Sequence, residues 1–204
     1  MIKKNLLLIF TRNPELGTVK TRLARTVGDK TALNIYKFLI TKTKNSTIGV
    51  NADKAVYYSV KVRKNDIWDN KTYQKHQQKG EDLGIRMHNA FQNGFKSGYE
   101  KIIIIGSDLY DLSTEEIDKA FEYLNSNDVV IGPALDGGYY LLGMKKLYKN
   151  IFKNKAWGTD SVQKDTLKNL FDSKVKLLEK KNDIDEYEDI IDIPEIMEIF
   201  ISTK

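Results

Sequence analysis

Short apolar runs alternate with segments of helical periodicity along this chain, and this alternation constrains the fold more than any other feature. Runs with strand character cover Leu6–Phe10, Ala55–Val60, Ile102–Ile105, Val129–Ile131, Tyr139–Leu142 and Val175–Leu178. Several lack the polar–apolar alternation of a half-exposed strand, which is typical of strands covered on both faces. Apolar stripes with helical spacing lie between them. The pattern predicts an α/β fold, a three-layer α/β/α sandwich with a mostly parallel central sheet.

Local signals refine this picture. The tetrapeptide from Ser113 to Glu116 is a capping-box pattern and predicts the start of a helix. Pro194 suits the first turn of a last short helix. The polar stretch from Lys61 to Gly80 is interpreted as an insertion or a small antiparallel excursion. No repeat or linker divides the chain, so we expect a single domain over residues 1–204.

Composition excludes several classes of protein. The 204 residues contain no cysteine, which excludes disulfides, thiolate metal sites and a cysteine nucleophile. No apolar stretch approaches the roughly 18 residues of a membrane span. The apolar run near the start is only "NLLLIF" and no cleavage site follows it, so a cytoplasmic protein is expected. The net charge is +5, but the lysines are scattered, which favours a small anionic ligand over nucleic acid.

Polar loops follow three of the predicted strands. The first is "TRNPELGTVKTRL" from Thr11 to Leu23, the second is "GSDLYD" after Ile102–Ile105, and the third is "GPALDGGYY" after Val129–Ile131. Because open parallel sheets bind ligands outside the carboxyl ends of their strands, we expect these loops to share one edge. Their candidate residues are Thr11, Arg12, Gly17, Lys20, Arg22, Asp108, Asp136, Gly137 and Gly138.

Cations beside carboxylates in a glycine-lined crevice are what a metal–diphosphate complex requires. A hard divalent cation prefers oxygen ligands, often one or two carboxylates with phosphate and water. Arginine and lysine bind the remaining phosphate oxygens. Each loop also has a purely structural interpretation, because basic residues often form a solvated helix face and Asp-Gly-Gly is a good tight turn. Their common position after strands favours the functional interpretation.

Other catalytic signals are missing from the sequence. It contains no G-x-S-x-G, P-loop or G-x-G-x-x-G pattern, which disfavours a serine hydrolase, a P-loop kinase and a dinucleotide dehydrogenase. His76 and His88 have no metal-ligand spacing to each other.

Five blocks in order resemble the small bacterial glycosyltransferase-A-like family often labelled arsenosugar-biosynthesis glycosyltransferases. They are "FTRNPELGTVKTRL", "QKGEDLGIRMHNAF", "IIIGSDLYDLS", "DVVIGPALDGGYYLLGM" and "NDIDEYEDI". The "KTRL" step is also similar to 2-phospholactate guanylyltransferases. The resemblance implies a nucleotide-diphospho-sugar transferase fold. The chain departs from the family pattern at Leu109-Tyr110, at Glu186-Tyr187 and at Trp157–Ser161, so its acceptor contacts are expected to differ.

The resemblance also implies roles for individual residues. Asp108 would bind Mg²⁺ or Mn²⁺, with Asp185 of the late acidic block approaching the same metal. Arg12, Lys20 and Arg22 would contact nucleotide phosphates, together with Thr11 and Gly17 of the same loop. Asp136, Gly137 and Gly138 would line the sugar or acceptor side. A general base is needed only if the reaction inverts, and Asp136 is then the candidate by its position. Asp82 and Arg86 would lie near the nucleotide or organise its loop.

Three functions remain open at this point. The first is metal-dependent transfer of a sugar from a nucleoside diphosphate sugar to a small-molecule acceptor, with Asp108, Asp136 and Lys20 carrying the chemistry. The second is transfer of a nucleotidyl group from a nucleoside triphosphate to a phosphorylated small molecule. The third is a noncatalytic nucleotide or nucleic-acid binder, which the lack of aromatic residues interleaved with basic ones disfavours.

Overall fold

The computed structural model describes residues 4–203, which contain both strands and helices. The strands are β1 (Asn5–Thr11), β2 (Asp53–Tyr58), β3 (Tyr73–Gln77), β4 (Lys101–Ile105), β5 (Val129–Pro133), β6 (Tyr139–Met144) and β7 (Val175–Leu177). The helices are α1 (Thr21–Val27), α2 (Asp29–Ile48), α3 (Leu83–Lys96), α4 (Thr114–Tyr123), α5 (Val162–Lys168) and α6 (Pro194–Thr203), with a 3₁₀ turn at Lys149–Phe152.

The strands form one sheet in the order β3-β2-β1-β4-β6-β5-β7. Every described pairing is parallel except those of β6, which runs antiparallel to β4 and β5. The prediction of a mostly parallel sheet is therefore confirmed. Because β1, β4 and β5 run in the same direction, their carboxyl ends lie at one edge of the sheet, where the three polar loops begin.

The sheet carries helices on both faces, as predicted. Leu7 and Ile9 of β1 pack with Tyr36 of α2 and Phe121 of α4. The intervening Leu8 packs on the other side, in a cluster that includes residues of α3. The burial of alternate β1 side chains in two different clusters explains why this strand lacks polar alternation.

Of the two interpretations of residues 61–80, the small antiparallel excursion is wrong. Tyr73–Gln77 forms β3, which pairs parallel with β2 from Lys54↔Tyr73 to Tyr58↔Gln77. It is an edge strand, and Tyr73 is its one buried residue. An edge strand does not need two apolar faces, so the sequence "YQKHQ" carried no strand signal.

Two helix signals are confirmed. The Ser113 hydroxyl accepts a hydrogen bond from the Glu116 backbone N–H, and the Glu116 carboxylate accepts one from the Ser113 N–H, which completes the capping box. Helix α6 begins at Pro194. Among residues 4–203, no helix combines the length and apolar character that crossing a membrane would need.

Candidate active site

The loop after β1 turns back on itself before α1 begins. Gly17 adopts a left-handed backbone with φ +72°, and the Thr18 N–H donates to the carbonyl of Glu15. Lys20, the residue before α1, is also left-handed, with φ 48° and ψ 47°. A lysine in this region costs conformational energy, and such strain is concentrated at functional sites. The conformation directs the Lys20 side chain inward, where only 6% of it is exposed.

Lys20 forms an ion pair with Asp108 of the loop after β4. Its Nζ donates to Asp108 Oδ2 at 2.8 Å and lies 4.0 Å from Asp185 Oδ1. Burial alone would lower the pKa of Lys20, but attraction to Asp108 and Asp185 outweighs it and raises that pKa. Burial would raise the pKa of Asp108, yet attraction to Lys20 holds it below its usual value. Both groups are therefore charged at neutral pH.

A buried hydroxyl network holds the β1 and β4 loops together. The Tyr36 hydroxyl of α2 lies 3.1 Å from Ser107 Oγ and 3.2 Å from Thr11 Oγ1. The same hydroxyl accepts the Arg12 N–H at 2.8 Å. Because Ser107 precedes Asp108 and Thr11 precedes Arg12, this network fixes the distance between the cationic loop and the carboxylate. Thr11 therefore stabilises the loop through its buried hydrogen bonds to Tyr36 and Ser107.

The cations and carboxylates surround a cavity of about 200 Å³, which we call the cationic pocket. Its lining residues are Arg12, Lys20, Thr21, Arg22, Tyr36, Asp108 and Asp185. Arg22 Nη1 donates to Asp185 Oδ2 at 2.6 Å. The structure thus brings together the three cations and both acids predicted for phosphate and metal binding, although they lie on loops far apart in sequence.

A second cavity of about 230 Å³, which we call the apolar pocket, is also lined by Asp108. Most of its wall is aliphatic or aromatic and consists of Phe10, Leu83, Met87, Ile104, Ile105, Leu109, Leu112, Ala134, Tyr139, Tyr140, Trp157 and Val162. The remaining lining residues are Gly106, Asp108, Asp136, Gly138, Gly158, Thr159 and Asp183. Asp108 is thus the residue common to the two pockets.

Asp183 is a site residue that the sequence reasoning missed. Burial, followed by repulsion from Asp108 and Asp136, raises its pKa to about 6. The Ile184 N–H lies 3.5 Å from the carbonyl of Asp108 and anchors this segment beside the β4 loop. The alternation Asp183-Ile184-Asp185, with Ile184 buried, is typical of an extended segment whose two acids share a face. This alternation of acidic and apolar residues is the sequence signal that could have identified Asp183 as a site residue.

Asp136 lies in the turn between β5 and β6 and lines the apolar pocket with Gly138. Its Oδ1 accepts the Gly138 N–H at 2.8 Å, so one carboxylate oxygen is engaged in the turn. Gly137 is left-handed, with φ +87°, and its carbonyl accepts the Gln163 N–H at 2.9 Å. A Cβ at Gly137 would overlap the backbone of Asp160. The turn therefore docks closely against the segment that leads into α5.

This close docking gives a stability prediction. We expect Gly137→Ala to lower the free energy of unfolding by about 2–3 kcal/mol, because it adds a backbone clash to an unfavourable φ. Gly98→Ala is the matched control, since Gly98 has the same φ of +87° and open space where a Cβ would lie. Gly98→Ala should lower the free energy of unfolding by about 1 kcal/mol. Urea unfolding measures both, and equal losses would contradict a steric role for Asp160.

Asp82 and Arg86 organise the loop between β3 and α3. Asp82 caps α3, its Oδ1 accepting the Ile85 N–H at 2.7 Å, and Arg86 Nε donates to the Gly80 carbonyl at 2.9 Å. Neither side chain lines the cationic or the apolar pocket, and neither Gly17 nor Gly137 does so. Contact of these residues with a nucleotide stays a prediction.

The carboxylates fit a divalent cation that shares its coordination with a substrate. Within residues 4–203 no three His, Cys, Asp or Glu side chains are arranged to enclose a metal ion. Asp108, Asp183 and Asp185 nevertheless offer hard oxygen donors next to a cationic pocket. Mg²⁺ is commonly bound by one or two protein carboxylates and completed by phosphate and water, and this donor set suits that mode.

Comparison with solved structures defines the class of protein. The chain superposes with a TM-score of 0.85 on a protein of Desulfovibrio desulfuricans G20 that is provisionally described as a nucleotide-diphospho-sugar transferase. The two are 28% identical, over 98% of this chain and 95% of that one. The fold is also shared with 4-diphosphocytidyl-2C-methyl-D-erythritol synthase of Anaerococcus prevotii (TM-score 0.58, 13% identity, 97% and 100% of the two chains). A cytidylyltransferase of Leptospira borgpetersenii matches similarly (TM-score 0.57, 15% identity, 98% and 95%).

The family follows from the sequence itself. Residues 45–159 match the family described as "Uncharacterized protein conserved in bacteria (DUF2064)", and the chain belongs to that family. No curated protein matches the chain. These comparisons confirm the predicted superfamily and the predicted class, a transferase with the nucleotide-diphospho-sugar transferase fold.

Proposed function

We propose that this protein is a metal-dependent glycosyltransferase that takes its sugar from a nucleoside diphosphate sugar. The observation that carries the proposal is the Lys20–Asp108 ion pair, because Lys20 lines the cationic pocket and Asp108 lines both pockets. This position lets one donor place its diphosphate among cations while its sugar faces a separate cavity. The likeness to the Desulfovibrio protein, at 28% identity over nearly the full length, supports a nucleotide-sugar donor.

The cations have a direct role in this proposal. Arg12, Lys20 and Arg22 bind the donor diphosphate and stabilise the negative charge that develops on the leaving group. Before the donor binds, Lys20 and Arg22 hold Asp108 and Asp185 in place. Asp108, with Asp183 or Asp185, would hold Mg²⁺ or Mn²⁺, and the metal would supply further positive charge opposite the diphosphate.

The transfer itself takes place on the apolar-pocket side of Asp108. The acceptor hydroxyl oxygen forms a bond to the anomeric carbon, and the bond from that carbon to the diphosphate oxygen breaks. The electron pair of the broken bond leaves with the nucleoside diphosphate. The hydroxyl proton passes to a carboxylate if the reaction inverts, and Asp136, which lines this cavity, is the proposed base.

Nucleotidyl transfer is the second candidate, because the cationic pocket would also accept a triphosphate and the fold is shared with cytidylyltransferases. The two reactions release different products. Glycosyl transfer releases a nucleoside diphosphate, whereas nucleotidyl transfer releases pyrophosphate. Assaying both products with the same substrates distinguishes them.

The metal role is tested with Asp108→Asn, which keeps the shape of the side chain and removes its charge. We expect Mn²⁺ to strengthen the binding of UDP-, GDP- or CDP-sugar to the wild type about tenfold or more, and to have no such effect on the variant. Isothermal titration with and without Mn²⁺ measures this. Asp172→Asn, at an exposed position, is the control. Equal, metal-independent affinity in the wild type and Asp108→Asn would defeat the metal role.

A further inference from the structure

The apolar pocket has a charge pattern opposite to that of its neighbour. Among the described residues that line it, none is lysine or arginine, while Asp108, Asp136 and Asp183 are acidic. From this pattern we infer that the apolar pocket binds an uncharged acceptor, a hydroxyl group carried on a largely apolar body, and excludes phosphorylated acceptors. The inference rests on the proposed function and specifies its acceptor class.

The walls select an apolar body. Leu109 and Val162 are buried behind the pocket surface, whereas Leu83 is 44% exposed at the first turn of α3. An exposed leucine beside a ready-formed cavity is stabilised when an apolar ligand covers it. The cavity of about 230 Å³ lies below the usual range for drug-sized ligands, so the acceptor is small, of one or two rings.

The acidic groups select a hydroxyl. A carboxylate accepts a hydrogen bond from a hydroxyl, and it repels a phosphate. Where Asp108 and Asp185 hold the metal, Asp136 and Asp183 would still face a phosphate in this cavity, and no described lysine or arginine lines the same space. The charge pattern therefore disfavours nucleotidyl transfer to a phosphorylated compound.

The part of the apolar-pocket wall that Trp157 and Tyr139 form is pre-formed. Trp157 packs edge-on against Tyr139, with ring centroids 6.4 Å apart. A Cβ at Gly84 of α3 would lie 2.5 Å from the Trp157 ring, so the tryptophan contacts the helix backbone closely. A wall held in this way recognises the shape of a ligand without first reorganising.

A nucleoside base is the competing occupant of the same space. A base presents several donors and acceptors, and it loses affinity where they stay unpaired. Most of this wall is aliphatic or aromatic, which favours the acceptor body. Probe binding and nucleotide binding, measured on the same variants, separate the two occupants.

The test uses a matched pair of probes, methylumbelliferone and its phosphate ester, which share a ring system and differ in charge. Binding is measured by ligand-observed NMR at a pH where the phenol is neutral. We expect methylumbelliferone to bind the wild type with Kd below about 1 mM, and the phosphate ester to bind at least about tenfold more weakly. No binding of the neutral probe, or equal binding of both, would overturn the inference.

Two variants then locate the probe. Val162→Phe fills the cavity from α5, and Leu83→Trp fills it from a partly exposed position where folding is not at risk. We expect each to weaken methylumbelliferone binding about tenfold or more while UDP affinity with Mn²⁺ changes less than about twofold. Loss of UDP affinity instead would assign the pocket to the base and overturn the inference. Failure of UDP, GDP and CDP to bind the wild type would count against the proposed function, separately from the probe result.

Discussion

Lys20→Met will weaken nucleoside diphosphate binding about 100-fold or more. Lys20 is the most deeply buried of the cations that face Asp108, with 6% of its side chain exposed. The substitution keeps an unbranched side chain that is shorter by the terminal ammonium group, and it removes a charge-assisted bond to phosphate. It also leaves Asp108, Asp183 and Asp185 without their shared cation, and these acids then repel the incoming diphosphate. Isothermal titration with the best-binding nucleoside diphosphate measures the loss.

The controls separate charge from backbone effects. Methionine at position 20 experiences the same left-handed conformation as lysine, so the comparison isolates the ammonium group. Lys119→Met, on the exposed face of α4, should leave affinity unchanged. We expect Lys20→Met also to lower the free energy of unfolding by about 2 kcal/mol, because breaking a largely buried pair leaves an uncompensated charge. The double variant Lys20→Met/Asp108→Asn should regain stability without regaining affinity, and affinity close to wild type in either protein would contradict the role of Lys20.

Asp183→Asn will stabilise the protein at pH 8, by about 1–2 kcal/mol once the half-buried position is taken into account. The folded protein raises the pKa of Asp183 from 3.8 to about 6. The native state therefore holds this proton more tightly than the unfolded chain does, and ionising the group costs stability. That cost grows as the pH rises from about 4 to 6 and is complete above pH 6. Asparagine carries no such cost.

The measurement is urea unfolding at pH 4, 6 and 8, in buffer with a chelator so that no divalent cation neutralises the acids. The gain in Asp183→Asn should be largest at pH 8 and vanish near pH 4. Asp172→Asn, at an exposed site, should show no pH-dependent gain. A gain that is constant with pH would mean that Asp183 does not titrate as described. Loss of Mn²⁺-dependent nucleotide binding in the same variant would show that the destabilising acid is retained for function.

The sequence predicted those features that depend on local patterns. Unbroken apolar runs such as Ile102–Ile105 indicated strands covered on both faces, and the position of Asp108 directly after that strand indicated the site. β3 was not predicted as a strand, because an edge strand has few buried apolar residues. The apolar pattern that predicts a strand reflects the burial of its side chains, and only Tyr73 of β3 is buried.

The missed parts of the site depend on contacts between distant segments. The Lys20–Asp108 pair joins residues 88 positions apart, and no local pattern indicates that a lysine after Val19 is left-handed and buried. Asp183 has a raised pKa because of burial and because Asp108 and Asp136 lie near it in the fold. Sequence could place Asp108 and Asp136 on loops at one edge, but their repulsion of Asp183 required the three-dimensional arrangement.

The most direct test of the central claim is a crystal structure of the protein with its best-binding nucleoside diphosphate and Mn²⁺. The claim is that the loop after β1 and the acid after β4 together bind one diphosphate. It predicts phosphate oxygens within hydrogen-bond distance of Lys20 and of Arg12 or Arg22, with Mn²⁺ between the diphosphate and Asp108. A diphosphate bound outside the cationic pocket, with Lys20 and Asp108 still paired only to each other, would contradict it.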